Sequence, residues 1–247
     1  MSRRNPAGSR GSHRRPEAWW QAPGQRTTTT ATIGRLWEGC GVNDEQQTVG
    51  LGPWRGPWPE DPRLDPALLR DGDRRNVVDR YRYWRLEEIV ADLDSRRHRL
   101  HVAIENWQHD FNIGSIVRTA NAFNVAGVHV VGRRRWNRRG AMVTDRYLHV
   151  HHHEDVEAFL NWAAQHRVGL PVVGVDNLPG SLPLETAALP EACVLLFGQE
   201  GPGLSQAARE GVSATVSIAQ FGSTRSLNAG AAAAIAMHTW VRQYATG

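Results

Sequence analysis

The sequence predicts an α/β domain, a mostly parallel sheet with helices on both faces, preceded by a largely irregular basic extension. Three observations carry that prediction. From residue 99 onward, short apolar runs alternate with stretches of helical periodicity, the pattern of strands joined by crossover helices. The chain ends on an apolar run, Thr215-Val-Ser-Ile218, then a polar stretch, then an alanine-rich helix over Ala229–Tyr244. Residues 1–75 lack such periodicity and are rich in Arg, Gly, Pro and Trp.

Taken in order, the chain divides into three parts. Residues 1–36 hold seven arginines against one acid, Glu17, a net +6. Residues 50–66 are rich in Gly and Pro. Such segments bury too little apolar surface to offset their ordering entropy, so 1–75 is expected to be irregular. The tryptophans at 19, 20, 37, 54 and 58 can dock locally or stack on RNA bases beside arginine. Over Asn76–Leu93, Val77, Val78, Tyr81, Trp84, Ile89 and Val90 recur on one face, which predicts a helical lead-in within 76–98. The main domain spans 99–247. Within it, strands are expected at Leu100–Ile104, Val128–Val131, Tyr147–Val150, Pro171–Val175, Ala192–Phe197 and Thr215–Ile218. Helices are expected at Asn112–Phe123, Asp155–Gln165, Leu204–Gly211 and Ala229–Tyr244, with a loop over Leu178–Pro190. Ligands of such a sheet bind at the C-terminal ends of its strands.

Composition narrows the function classes. At 247 residues the chain can bury one good core with an appendage. Its two cysteines, Cys40 and Cys193, have neither disulfide-framework nor zinc-ligand spacing, so a reducing, cytoplasmic setting is expected. No apolar run is long enough to span a membrane, and the N-terminus lacks the apolar core of a secretory signal. All 29 basic residues are arginine. A GC-rich genome gives that bias without any function, but every cation is then a planar fork suited to phosphate and to base stacking. With a pI near 9.7, nucleic acid is the first partner to consider.

Three clusters carry candidate chemistry. The first is Asn112-Ile-Gly-Ser-Ile-Val-Arg-Thr-Ala120, preceded by Glu105-Asn106. Asn112 can cap the helix, and Arg118 lies opposite Ile116, on a face like that of Gly114 and Ser115. Read alone, Arg118 is a salt-bridged or surface helix arginine. The second is Leu195-Leu-Phe-Gly-Gln-Glu-Gly-Pro-Gly-Leu-Ser205, a buried strand entering a glycine-rich loop with one carboxylate, Glu200, then a Ser-capped helix. It matches neither the P-loop nor the dinucleotide fingerprint. The third is Phe221-Gly-Ser-Thr-Arg-Ser-Leu-Asn-Ala-Gly230. Ser226 and Asn228 are both good N-cap residues for the terminal helix, whose small residues permit close packing.

Together the three clusters resemble the SpoU (TrmH-like) branch of the SPOUT family of RNA methyltransferases, over about residues 99–244. The order is that of the family: Asn112 to Arg118-Thr-Ala, then Gly198-x-Glu-Gly-x-Gly-Leu-Ser205, then Ser226-Leu-Asn228 before the alanine-rich helix. The resemblance implies a C-terminal deep trefoil knot, S-adenosylmethionine bound in it, a homodimer, and methylation of ribose 2′-hydroxyls in tRNA or rRNA. It implies a catalytic neighbourhood of Asn112, Arg118, Glu200, Ser226 and Asn228. It places Val175, Gly198, Gly203, Ile218, Leu227 and Asn228 at the cofactor. One departure is Ile218-Ala-Gln220 where the family often has Ile-Pro-Met, which is expected to loosen one turn of the cofactor loop.

Two further stretches invite a reading. Arg133, Arg134, Arg135, Arg138 and Arg139 surround Trp136 just after a strand. They form either a solvated loop or an RNA contact in which arginines pair with phosphates and a base stacks on Trp136. The histidines at 149 and 151–153 do not predict a metal site, because consecutive strand residues alternate faces. The activity expected is S-adenosylmethionine-dependent ribose 2′-O-methylation. The alternatives are an RNA-binding protein of the same fold that lost catalysis, and a base-methylating relative. The target nucleotide is not readable from these residues.

Overall fold

The computed structural model describes residues 50–107, 112–167 and 169–245. The arginines and tryptophans before residue 50, and Cys40, lie outside the described residues. The elements in order are α1 (Pro66–Asp71), α2 (Leu86–Asp94), β1 (Leu100–Asn106), α3 (Ile113–Ala122), β2 (Gly127–Gly132), β3 (Val150–His153), α4 (Val156–Gln165), β4 (Val172–Val175), β5 (Leu182–Pro183), β6 (Cys193–Phe197), α5 (Gln206–Gly211), β7 (Ala214–Ser217) and α6 (Ala229–Tyr244).

The strands form one sheet in the order β3-β2-β1-β6-β4-β7-β5. Every described pair is parallel. Alternation along each strand sends side chains to opposite faces and builds two cores. On one face Leu100, Val102, Ile104, Leu195 and Phe197 pack with Ile113, Ile116 and Val117 of α3 and Ala233, Ala236, Met237 and Trp240 of α6. On the other, Ala103, Val131, Val194 and Leu196 pack with Val156, Phe159 and Ala163 of α4 and Ala208 of α5. The two-faced α/β layout is therefore as the alternating pattern predicts.

The register positions the site. Phe197 of β6 lies level with Ile104 of β1 and with Val175 of β4, and Val175 lies level with Val216 of β7. Four loops consequently leave the sheet side by side at its C-terminal edge.

Three expectations need correction. Residues 50–75 are not irregular throughout. Asp65 caps α1 by accepting from the Ala67 amide at 2.8 Å, with Pro66 in the first turn. Asp73 is fully buried and gathers the segment: it accepts from Arg75 Nη2 at 2.7 Å and from the Tyr83 amide at 2.9 Å. Burial alone would raise its pKa, but these donors outweigh that and hold it below the usual carboxylate range. Secondly, the lead-in is not one helix from 76 to 93. A 3-10 turn, Asp79–Tyr81, is followed by Tyr83, whose φ of +63° cannot continue a helix, and α2 starts afresh at Leu86. Thirdly, the strand expected at Tyr147–Val150 begins where that stretch ends. Val150 pairs with Val128 to open β3, and Thr144–Tyr147 is a 3-10 turn.

Candidate active site

The first and third clusters meet at the N-terminal ends of α3 and α6. A Cβ placed on Gly230 would lie 3.4 Å from Ser115 Cβ, ordinary contact, so the small residues of α6 do bring the two helices together. Asn228 caps α6, its Oδ1 accepting from the Ala231 amide at 3.2 Å. Ser226, the other capping candidate, is exposed. Asn112 precedes α3, but its side chain makes no cap there. It turns instead to the second and third clusters. Its Nδ2 donates to Glu200 Oε2 at 2.7 Å, and its Oδ1 accepts from Asn228 Nδ2 at 2.9 Å. Local sequence favours a capping asparagine; the approach of two distant loops offers it better partners.

Arg118 is exposed on α3, one turn beyond Ser115. Gly114 does not share that face. It is buried against the 3-10 turn Arg138–Ala141, where an added Cβ would lie 2.8 Å from Gly140 Cα. Among the described residues Arg118 has no hydrogen bond or ion pair, which leaves its fork available.

The glycine loop after β6 is a closed turn. Gln199 and Gly203 exchange backbone hydrogen bonds at 3.1 Å. A Cβ on Gly198 would lie 2.1 Å from the Gly203 carbonyl carbon, so only glycine fits there. Glu200 sits exposed on this loop. Ser205 caps α5 by accepting from Ala208 N at 3.2 Å. Val175 is buried at the end of β4, Ile218 packs against the core at the end of β7, and Leu227 is partly exposed before α6. The absent proline at 219 has a counterpart: the Ala219 amide, which proline would lack, donates to Glu185 Oε1 at 2.9 Å.

The arginine loop is moored by a residue from β1. Asn106 Nδ2 donates to the carbonyls of Arg133 at 2.6 Å and Arg135 at 3.0 Å, and the Asn106 carbonyl accepts from Arg133 N at 2.8 Å. Arg133, Arg134, Arg135, Arg138 and Arg139 are exposed. Trp136 is half-buried against the core, with the Arg138 guanidinium 5.5 Å from its ring centre. Arg138 also pairs with Asp145 at 3.3 Å.

Residues 99–238 match the SpoU rRNA Methylase family. The chain belongs to that family. A curated tRNA/rRNA methyltransferase of Mycolicibacterium vanbaalenii, itself uncharacterized, is 33% identical over 171 residues, covering 66% of this chain and 53% of its own. The chain thus spans about half the length of the curated relatives it matches. Among solved structures, the SpoU methyltransferase AviRb of Streptomyces viridochromogenes, in complex with AdoMet, is 28% identical with a TM-score of 0.55, over 63% of this chain and 65% of that one. An RNA 2′-O ribose methyltransferase is 26% identical with a TM-score of 0.51, over 58% and 55%.

Asn112, Glu200 and Asn228, one from each of the three motifs, are therefore joined by hydrogen bonds. Reasoning from sequence missed the carboxylates of Glu105 and Asp176, whose partners are backbone amides of the distant glycine loop. It also missed a buried chain of imidazoles. His101 Nδ1 lies 3.1 Å from His129 Nε2, and His129 Nδ1 lies 2.9 Å from His153 Nε2. Trp162 of α4 covers them, its ring 4.0 Å from that of His129. His152 points the other way, to the Gly132 carbonyl at 2.7 Å, as strand alternation requires. A cavity of about 410 Å³ lies away from the glycine loop, between α2 and the C-terminal end of α3, lined by Val77, Tyr81, Leu93, Asn121 and Tyr147 among others.

Proposed function

We propose that this chain methylates a ribose 2′-hydroxyl in tRNA or rRNA with S-adenosylmethionine, acting as a knotted homodimer in the cytoplasm. The observation that carries the reading is the Asn112 bridge, which joins Glu200 of the glycine loop to Asn228 of the terminal helix beside the face that displays Arg118. The similar RNA 2′-O ribose methyltransferase favours ribose over base as the target.

The residues present fit the cofactor. None of the backbone groups of residues 220–227 is hydrogen-bonded to another described residue, so this loop offers a row of free N–H and C=O groups. Gln199 Oε1 and Gln220 Oε1 are buried without partners among the described residues, two acceptors suited to the amino groups of the donor. Val175, Gly198, Gly203, Ile218, Leu227 and Asn228 would hold it. When bound, the cofactor supplies a methyl group on a sulfonium, whose departure leaves a neutral thioether and needs no acid. The chain's own task is to fix the 2′-oxygen in line and to accommodate its proton. Positioning of that kind lowers the barrier by several kcal/mol, up to about 7–11 in well-oriented systems. A guanidinium, with a pKa above about 12, is no base at neutral pH. Arg118 therefore orients a substrate phosphate and stabilises the forming alkoxide, and that phosphate takes the proton. Ser226 and Asn228 line the approach to the same point. The five arginines at 133–135, 138 and 139 contact phosphates, and their charge sets the salt dependence of RNA binding.

The dimer belongs to the same reading. Met142 and Val143 are both exposed and both left-handed, with φ of 49° and 66°. A β-branched residue there is strained, and a second copy covering the pair would offset the cost.

Digestion of treated RNA to nucleosides, with mass spectrometry, tests the reaction: a 2′-O-methyl nucleoside is expected, and a base-methylated one overturns it. Calorimetry with S-adenosylmethionine separates an enzyme from a binder that lost its cofactor. Arg118→Lys is expected to lower kcat/KM by about 100-fold, because an ammonium cannot grip phosphate and alkoxide at once. Unchanged turnover would remove the bidentate role.

A further inference from the structure

We propose that Glu105 and Asp176 form a carboxylate clamp that sets the position of the glycine loop, and with it Glu200 and the cofactor-binding backbone. The functional consequence rests on the methyltransferase reading above; the clamp itself rests on geometry.

In the sheet, β6 lies between β1 and β4, and at the C-terminal end of each neighbour stands an acid aimed at the loop that leaves β6. Glu105, on β1, is fully buried, and its Oε2 accepts from the Ser205 amide at 2.8 Å. Asp176 directly follows β4, and its Oδ2 accepts from the Leu204 amide at 2.9 Å. Two successive amides at the exit of the loop are thus gripped from opposite flanks. The far oxygens are also occupied by donors. Glu105 Oε1 accepts from the Trp107 indole at 3.0 Å, and Asp176 Oδ1 accepts from the Asn177 amide at 2.7 Å.

This arrangement selects carboxylates. Both oxygens of each acid face N–H groups, so an amide at either position would turn its own NH2 toward a donor. Gly203 is matched to the clamp: its φ is +73°, and a Cβ there would lie 2.5 Å from Asp176 Oδ2. The loop is already closed upon itself at Gln199 and Gly203. With its exit fastened on both sides, its remaining freedom is at the tip, where Glu200 meets Asn112. Neither clamp residue need touch a reacting atom; both are positioning residues.

The test uses the full chain and the variants Glu105→Gln and Asp176→Asn, each nearly isosteric with the parent. Hydrogen exchange without cofactor is read on peptides covering 198–206. Exchange there is expected to rise about tenfold in each variant while the sheet stays protected. Calorimetry with S-adenosylmethionine is then expected to show about tenfold weaker binding for Asp176→Asn, and single-turnover kinetics a lower kcat for Glu105→Gln. Unchanged exchange in both variants overturns the clamp, whether or not the parent binds the cofactor. A lower melting temperature with cofactor affinity unchanged in the folded protein also overturns it, since that is what a purely structural role gives. Because Glu105 is fully buried, a Glu105→Gln protein that does not fold leaves Asp176→Asn to decide, and its carboxylate lies at the edge of the loop. A parent that binds no S-adenosylmethionine defeats the functional reading and leaves the exchange result to decide the clamp.

Discussion

Asn112 illustrates what a single side chain does in this site. Glu200 can only accept, so the atom facing it at 2.7 Å is the Asn112 amide nitrogen, and the carbonyl oxygen is left to accept from Asn228. An aspartate cannot fill both roles. Asn112→Asp would set a second carboxylate against Glu200, at a cost on the order of 2–3 kcal/mol, and turnover should fall roughly 100-fold. Steady-state kinetics with circular dichroism as a folding control checks this; an active Asn112→Asp protein would mean the bridge is incidental. The same residue shows where sequence reasoning stops. Its type and its place before a helix were legible, and both suggested a cap. Its partners lie in loops 88 and 116 residues away, and no local rule reaches them. Glu105 and Asp176 escaped for a related reason: their partners in the glycine loop are backbone amides, which carry no residue-type signal.

At the scale of elements, the glycine loop and the terminal helix were legible because their constraints are local. Small residues at the start of α6 announce close approach, and the Gly198–Gly203 spacing announces a tight loop. The loop also yields a sharp expectation. A Cβ at 198 would lie 2.1 Å from the carbonyl carbon of Gly203 and 2.2 Å from the nitrogen of Leu204, both backbone atoms that cannot rotate aside. Gly198→Ala should therefore open the Gln199–Gly203 turn, destabilise the protein by about 1–3 kcal/mol, and weaken cofactor binding well beyond what the lost stability explains. Denaturant titration beside calorimetry separates the two effects; a fully stable Gly198→Ala protein with parental affinity would contradict the closed-turn geometry. Boundaries were less legible than element types. Tyr83 breaks the lead-in helix because the buried Asp73 draws its amide, a tertiary event that periodicity cannot register.

For the whole molecule, the parallel sheet decides which residues become neighbours, and its register gathers histidines scattered along the sequence into one hydrogen-bonded row. Their chemistry makes the fold sensitive to pH. His101 and His129 are buried, and burial is the first cause that depresses both pKa values, His101 to about 4, with neighbouring histidines adding to it. His151 and His153 are lowered as well, again mainly by burial. A chain of neutral imidazoles satisfies itself, each ring donating to the next, whereas a proton added to it is a charge without a counter-ion. In the unfolded chain the same groups titrate near 6.5. The unfolded state therefore binds more protons below that pH, and stability falls as pH falls. The contribution is complete above about pH 6.5 and is lost progressively toward pH 4 for His101, and lower still for His129. The slope is about 1 kcal/mol per pH unit for each histidine kept neutral. Asp73 and Asp94 are held below the usual carboxylate range by their arginine partners, so their losses begin only under more acid conditions. Urea unfolding between pH 7.5 and 5 should consequently show a drop of several kcal/mol, reduced in a His129→Phe variant that removes the middle ring. A flat profile over that interval would show that the row is not held neutral, and would detach it from the stability of the sheet.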